Sequence, residues 1–152
     1  MINVNILKKF LSNCQLSVTP NVKVHGESMY PVLRDKDRII IVSVPIYKIG
    51  DIVLFRYKEE GYIVHRIVYC GHGKIICKGD NSFRLEYINN NDIVGRVSKI
   101  YREDVEISPK QMMERYIEMS YNIGLLAEKT SDLRNVVESH LYKQYRKEYV
   151  DL

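Results

Sequence analysis

Between residues 15 and 102 the apolar positions alternate with polar ones in short runs, whereas from Ser108 onward they recur every three or four residues. The first pattern belongs to strands and the second to helices. Leu16 and Val18 alternate with polar neighbours, as do Val22 and Val24, and Pro20 and Asn21 break the two pairs apart. Arg38 to Val44 is β-branched and nearly all apolar, and further strands are expected at Ile52 to Tyr57, Tyr62 to Tyr69, Lys74 to Lys78 and Ile93 to Tyr101. Gly50-Asp51, Glu59-Glu60-Gly61, Gly71-His72-Gly73 and Asn89-Asn90-Asn91-Asp92 separate them with turn chemistry, which predicts an antiparallel β core. The Glu59-Glu60-Gly61 hairpin would put His65 near the middle of the returning strand, with Arg66 on the opposite face.

At the start of the chain, Ile6, Phe10 and Leu11 are close to helical spacing and predict a short amphipathic helix over Asn3 to Ser12. Near the end, Ser108 as cap, Pro109 at the first helical position and Gln111 closing a capping box predict a helix with Met112, Met113, Tyr116, Ile117 and Ser120 on one face. A second helix is expected from Thr130 or Ser131, with Leu133, Val136, Val137, His140, Leu141 and Tyr145 as its stripe. The expected fold is therefore α+β: a β core with an N-terminal helix over residues 1–106, and a helical appendage over 107–152. The Met and Tyr content of the helices reads either as a surface for a protein partner or as ordinary packing, the commoner cause of such a stripe.

A chain of 152 residues, 45% of them hydrophobic, buries one core of respectable size. The net charge is only +4, with Lys and Arg interspersed among Asp and Glu, which argues for a solvated surface and against nucleic acid as a partner. Cys14, Cys70 and Cys77 fit no zinc-ligand spacing, either among themselves or with His25, His65, His72 and His140. Neither a metal nor another cofactor is expected, and no glycine loop for phosphate occurs. Reduced, buried thiols suit the cytoplasm. Met1 to Cys14 is interrupted by Lys8-Lys9 and does not form a signal peptide, and apolar runs such as Ile39 to Val42 fall far short of the roughly twenty residues that span a bilayer. No integral membrane segment is expected.

Candidate chemistry lies in Gly26-Glu27-Ser28-Met29-Tyr30-Pro31 and Tyr62-Ile63-Val64-His65-Arg66-Ile67-Val68, followed by Lys78-Gly79-Asp80-Asn81. A serine hydroxyl is a poor nucleophile until a neighbouring base takes its proton. An imidazole, with an ordinary pKa of about 6.5, can take it at neutral pH. Gly26 permits close backbone approach beside Ser28, and Pro31 fixes the chain just beyond it. His25 stands too near Ser28 in sequence to be an obvious base.

The Ser-Met-x-Pro turn, the Val-His-Arg strand and the Lys-Gly-Asp-Asn segment, in this order, resemble the type I signal peptidase family over about Val22 to Tyr101. The likeness is closer to the branch with histidine as base, typical of endoplasmic reticulum and archaeal enzymes, than to the bacterial branch with lysine. It implies a serine endopeptidase with Ser28 as nucleophile, His65 as base and a carboxylate that orients the imidazole. Six residues beyond Asp80 the family pattern has an aspartate, and this chain has Glu86. Asp80 is the second candidate, although in this family its turn looks largely structural, and Asp92 is the third. Where the family often has a hydroxyl residue two positions before the nucleophile, Gly26 stands here, so the oxyanion would rest on backbone N–H groups of Gly26, Ser28 and Met29.

Glycine at that place is also found in the self-cleaving repressors of the same β fold, but those use lysine as base and carry a DNA-binding domain for which this chain has no room. Signal peptidases are membrane anchored. A chain without an anchor is expected to be a soluble, cytoplasmic enzyme trimming a peptide precursor, such as the leader of a ribosomally made natural product, bound as an added strand. The alternative of another class is a non-catalytic peptide-binding or regulatory module, with its helical tail engaging a partner.

Overall fold

Residues 22–151 are described in the computed structural model, so the expected helix over Asn3 to Ser12 and the strand at Leu16 to Val18 lie outside the described residues. The described residues form an eight-stranded antiparallel sheet. Its strands are β1 (Val22–Lys23), β2 (Arg38–Val42), β3 (Ile52–Arg56), β4 (Tyr62–Gly71), β5 (Lys74–Lys78), β6 (Leu85–Ile88), β7 (Ile93–Arg102) and β8 (Val105–Ile107). They run in the order β1-β2-β7-β3-β4-β5-β6, with β8 paired to β7. The long β4 pairs with β3 and β5, and β7 with β2, β3 and β8, and bulges shift the register in several of these pairings. One interrupts the pairing of β4 with β5 between Ile67 and Tyr69, and others interrupt the pairing of β7 with β2 and β3.

The sheet buries apolar side chains on both faces. Alternation therefore disappears in β3, where Ile52, Val53, Leu54 and Phe55 are all buried. Ile52 and Leu54 join the larger cluster with Leu33, Ile39, Val68, Ile100 and the helices. Val53 and Phe55 join a smaller one with Tyr57, Ile67, Ile75, Cys77, Ile88 and Ile93. His65 is paired with Val53 across β3–β4, and Glu86 with Cys77 across β5–β6, so both are set on the face of the smaller cluster. Arg66, the next residue along β4, faces the helices.

The helical region departs from expectation in its boundaries. The first helix, α1, covers Glu114–Lys129 and not the turn after Ser108; Met113 precedes it in extended conformation with no side-chain cap. Ile117, Ser120, Ile123 and Gly124 face the sheet, while Met113 is exposed. Gly124 is needed there, because an added Cβ would stand 2.4 Å from Leu85 of β6. The second expected helix is divided at Ser139, whose extended backbone ends α2 (Leu133–Glu138) and whose Oγ accepts from Tyr142 N–H to start α3 (His140–Tyr145). A π-helical turn, Arg146–Val150, continues α3. Of the expected stripe, Val136 and Tyr145 are buried while Leu133 and Val137 are exposed, and Tyr149 and Val150 of the π-helical turn are buried besides.

Among the described residues no helix is long and apolar enough to cross a membrane.

Candidate active site

Ser28 is exposed on the turn that follows β1. The turn is pinned from both sides. Before it, Val24 exchanges backbone hydrogen bonds with Lys36 and Asp37; after it, Met29, Val32 and Leu33 sink into the larger core. Exposure of the hydroxyl thus comes from burial of its neighbours.

Underneath lies the Gly79-Asp80-Asn81 turn. Asn81 N–H donates to the Ser28 carbonyl at 2.8 Å, its side-chain amide donates to the Glu27 carbonyl at 3.2 Å, and Asp80 N–H points to the Met29 sulfur at 3.4 Å.

From β4, the imidazole of His65 is only 5% exposed and stands between Ser28 and Glu86. Its Nε2 is 3.0 Å from Ser28 Oγ, and its Nδ1 is 3.0 Å from Glu86 Oε2. A carboxylate oxygen only accepts, so in a neutral imidazole this geometry places the ring proton on Nδ1 and leaves Nε2 to accept from the serine hydroxyl. Glu86 reaches His65 from β6, two strands away in the sheet, or about 9.5 Å at ordinary strand spacing. The extra methylene of a glutamate suits that span. β5 ends at Lys78, so the residue next to His65 in the intervening row is Gly79, which has no side chain to block the reach.

Asp80 is placed differently. Its carboxylate receives Arg66 Nε at 2.9 Å, Arg66 Nη2 at 2.8 Å and Tyr149 Oη–H at 2.9 Å, and its carbonyl accepts from Tyr145 Oη–H at 2.7 Å. Arg66 and Asp80 are each 1% exposed. Burial works against the Arg66 guanidinium, but the charge and hydrogen bonds of Asp80 outweigh it and hold the group above its ordinary pKa. Asp92 closes the capping box of the turn Asn90–Asp92, bonding Asn89 N–H. The N–H of Gly26, which is at φ +87°, donates to Asp35 Oδ1 at 2.9 Å.

Three residues of the site's surroundings are given no part at the site by the sequence. Tyr145 and Tyr149 stand more than sixty positions beyond the turn they hold. Lys78 is fully buried: its Nζ donates to Ser120 Oγ at 2.9 Å and to the Gly79 carbonyl at 3.1 Å, and lies over the Tyr145 ring. Burial pushes its pKa down to about 8, against the opposing pull of Asp80 and Glu86. Its one visible signal was its place beside Gly79-Asp80. Among the described residues no group of His, Cys, Asp and Glu side chains could hold a metal ion.

Residues 11–98, more than half of the chain, match the protein family described as Peptidase S24-like. No curated protein matches the chain.

Proposed function

The chain belongs to the Peptidase S24-like family, and we propose that it is a serine endopeptidase with Ser28 as nucleophile, His65 as base and Glu86 as the group that orients His65. A site of the kind found in the histidine branch of type I signal peptidases is part of this proposal, supported by the place of His65 between Ser28 and Glu86. The observation that carries this reading is the continuous row of 3.0 Å contacts from Ser28 Oγ through His65 to Glu86.

In the proposed reaction, Ser28 Oγ attacks the scissile carbonyl while His65 Nε2 takes its proton. Glu86 holds the Nδ1–H and stabilises the imidazolium so formed. The oxyanion is received by the backbone N–H groups of Ser28 and Met29; that of Gly26 is engaged by Asp35 and is assigned no part. His65 then gives its proton to the leaving amine, and a water activated by the same nitrogen releases the acyl group from Ser28. Asp80 is assigned to holding the turn beneath Ser28, and the helices beyond residue 107 act as a buttress for that turn.

The substrate proposed is an extended segment of a peptide precursor, such as the leader of a ribosomally made natural product, laid along the sheet as an added strand. Incubation with candidate precursors, followed by mass spectrometry, should show a single cut. Ser28→Ala and His65→Ala should each lower its rate on the order of 10⁴-fold or more. Cleavage that survives both substitutions would remove the catalytic reading, and binding without cleavage by the wild type would favour a peptide-binding module.

A further inference from the structure

Glu86 is wholly buried, and its two oxygens have different partners. Oε2 faces His65, and Oε1 accepts from Arg84 Nε at 3.0 Å. The rest of the Arg84 guanidinium is gripped by Glu60, with Nη1 to Oε1 at 2.7 Å and Nη2 to Oε2 at 2.9 Å, and it lies over the Tyr57 ring at 5.1 Å. Glu60 belongs to the short turn Lys58–Glu60 that joins β3 to β4. Arg84 therefore ties the hairpin that presents His65 to the carboxylate that meets it.

A buried carboxylate must be matched by a cation or give up its charge. Among the described residues, the two groups able to match Glu86 at contact distance are Arg84 and His65. If His65 alone served, it would hold a proton and could not take one from Ser28. Arg84, shared with Glu60, takes part of that task.

The remaining charged neighbours do not replace it. Lys78 sends its amine to the opposite face, to Ser120 and the Gly79 carbonyl. Cys77, on β5, is a buried thiol that burial and Glu86 push well above its ordinary range. Glu60 is negative, β3 offers His65 only Val53 and Phe55, and the turn after β1 offers only the Ser28 hydroxyl.

We propose that Arg84 is a positioning residue of this site: its Nε holds Glu86 Oε1 and so fixes the rotamer that offers Oε2 to His65, and its positive charge beside Glu86 lessens the pull of that carboxylate on a proton at His65. This rests on the peptidase reading for its purpose, but it is tested apart from it.

In the full chain, the Cε1–H resonance of His65, assigned by its loss in His65→Gln, is titrated in the wild type, Arg84→Gln and Arg84→Lys. Gln keeps a donor and loses the charge, so the His65 midpoint should rise by about one pH unit or more. Lys keeps the charge, so the midpoint should stay near the wild-type one. With a precursor that is cleaved, the acid limb of kcat/KM should move with it, so that Arg84→Gln loses about tenfold more at pH 6 than at pH 8.

A midpoint that does not move in Arg84→Gln, or moves equally in both variants, overturns the proposal, as does a loss of rate that is uniform across pH. Since the titration needs no turnover, failure of Ser28→Ala and His65→Ala to stop cleavage would sink the peptidase reading without touching this result. Arg84 is half exposed, so the variants should retain the wild-type melting transition, which is checked alongside.

Discussion

Gly79 decides how closely the parts of the site can approach. A Cβ built there would lie 2.5 Å from the Ser28 carbonyl oxygen and 3.0 Å from His65 Nε2. The first of these is backbone and cannot swing away, so the nucleophile turn would have to retreat from His65. Gly79→Ala should therefore lower kcat on the order of 10²-fold with little change in KM, because geometry at the reacting atoms is altered and remote binding is not. Steady-state kinetics on a cleaved precursor decide this, and a wild-type kcat would show that the turn adapts. At this scale the sequence is uneven. That Ser28, His65 and Glu86 lie within contact of one another agrees with the family pattern from which they were singled out, with Asp80 as the other carboxylate considered. Arg84 could not be singled out in this way, because a charged residue in a polar stretch reads as solvated surface until Glu86 and Glu60 are seen on either side of it.

Elements bring Asp80 and the C-terminal helices together, and here the two candidate carboxylates part ways. Asp80 neutralises a buried arginine and is held by Tyr149 from the π-helical turn, whereas Glu86 meets His65. Asp80→Asn leaves Arg66 buried without its counter-charge and should cost about 3–5 kcal/mol in urea unfolding. Glu86→Gln should instead show its main effect in turnover, about 10²–10⁴-fold, through loss of imidazole orientation. If Asp80→Asn kept full stability and lost only activity, Asp80 would be the orienting group. Why β6 was not expected also follows from the site. In Leu85–Ile88 the burial falls on Leu85, Glu86 and Ile88, with Tyr87 exposed, so a buried carboxylate stands where a strand pattern requires an apolar residue. Ser139 similarly looks like one more polar position in a helix, yet its side chain ends one helix and caps the next. The β3–β4 hairpin, by contrast, was legible, because Gly61 at φ +85° supplies the turn that its flanking strands need.

Over the whole molecule, both faces of the sheet are covered, and this sets the electrostatics of the site. With cores on either side, His65, Arg66, Lys78 and Glu86 on β4 to β6 are buried; Arg66 and Glu86 meet groups of opposite charge, whereas Lys78 meets a hydroxyl and a carbonyl. A lysine at about 8 in the folded chain and near 10.5 when unfolded makes stability depend on pH in a definite direction. Below pH 8 both states hold the proton and the burial penalty is present in full. Between 8 and 10.5 the unfolded chain binds more protons than the folded one, so this group's contribution to stability rises, by about 3 kcal/mol in all. Burial raises Cys77, Tyr145 and Tyr149, which act in the opposite sense above their ordinary values and mask the gain in the wild type alone. They are common to Lys78→Met, so the difference in unfolding free energy between the two proteins isolates the lysine. Urea unfolding at pH 7, 8, 9 and 10 should show the wild type gaining on Lys78→Met from pH 8 upward and not before. A difference that stays constant over the series would mean that the amine keeps its proton in the folded chain, and hence that the helices do not seal that face of the sheet as tightly as Ser120 and Tyr145 place them.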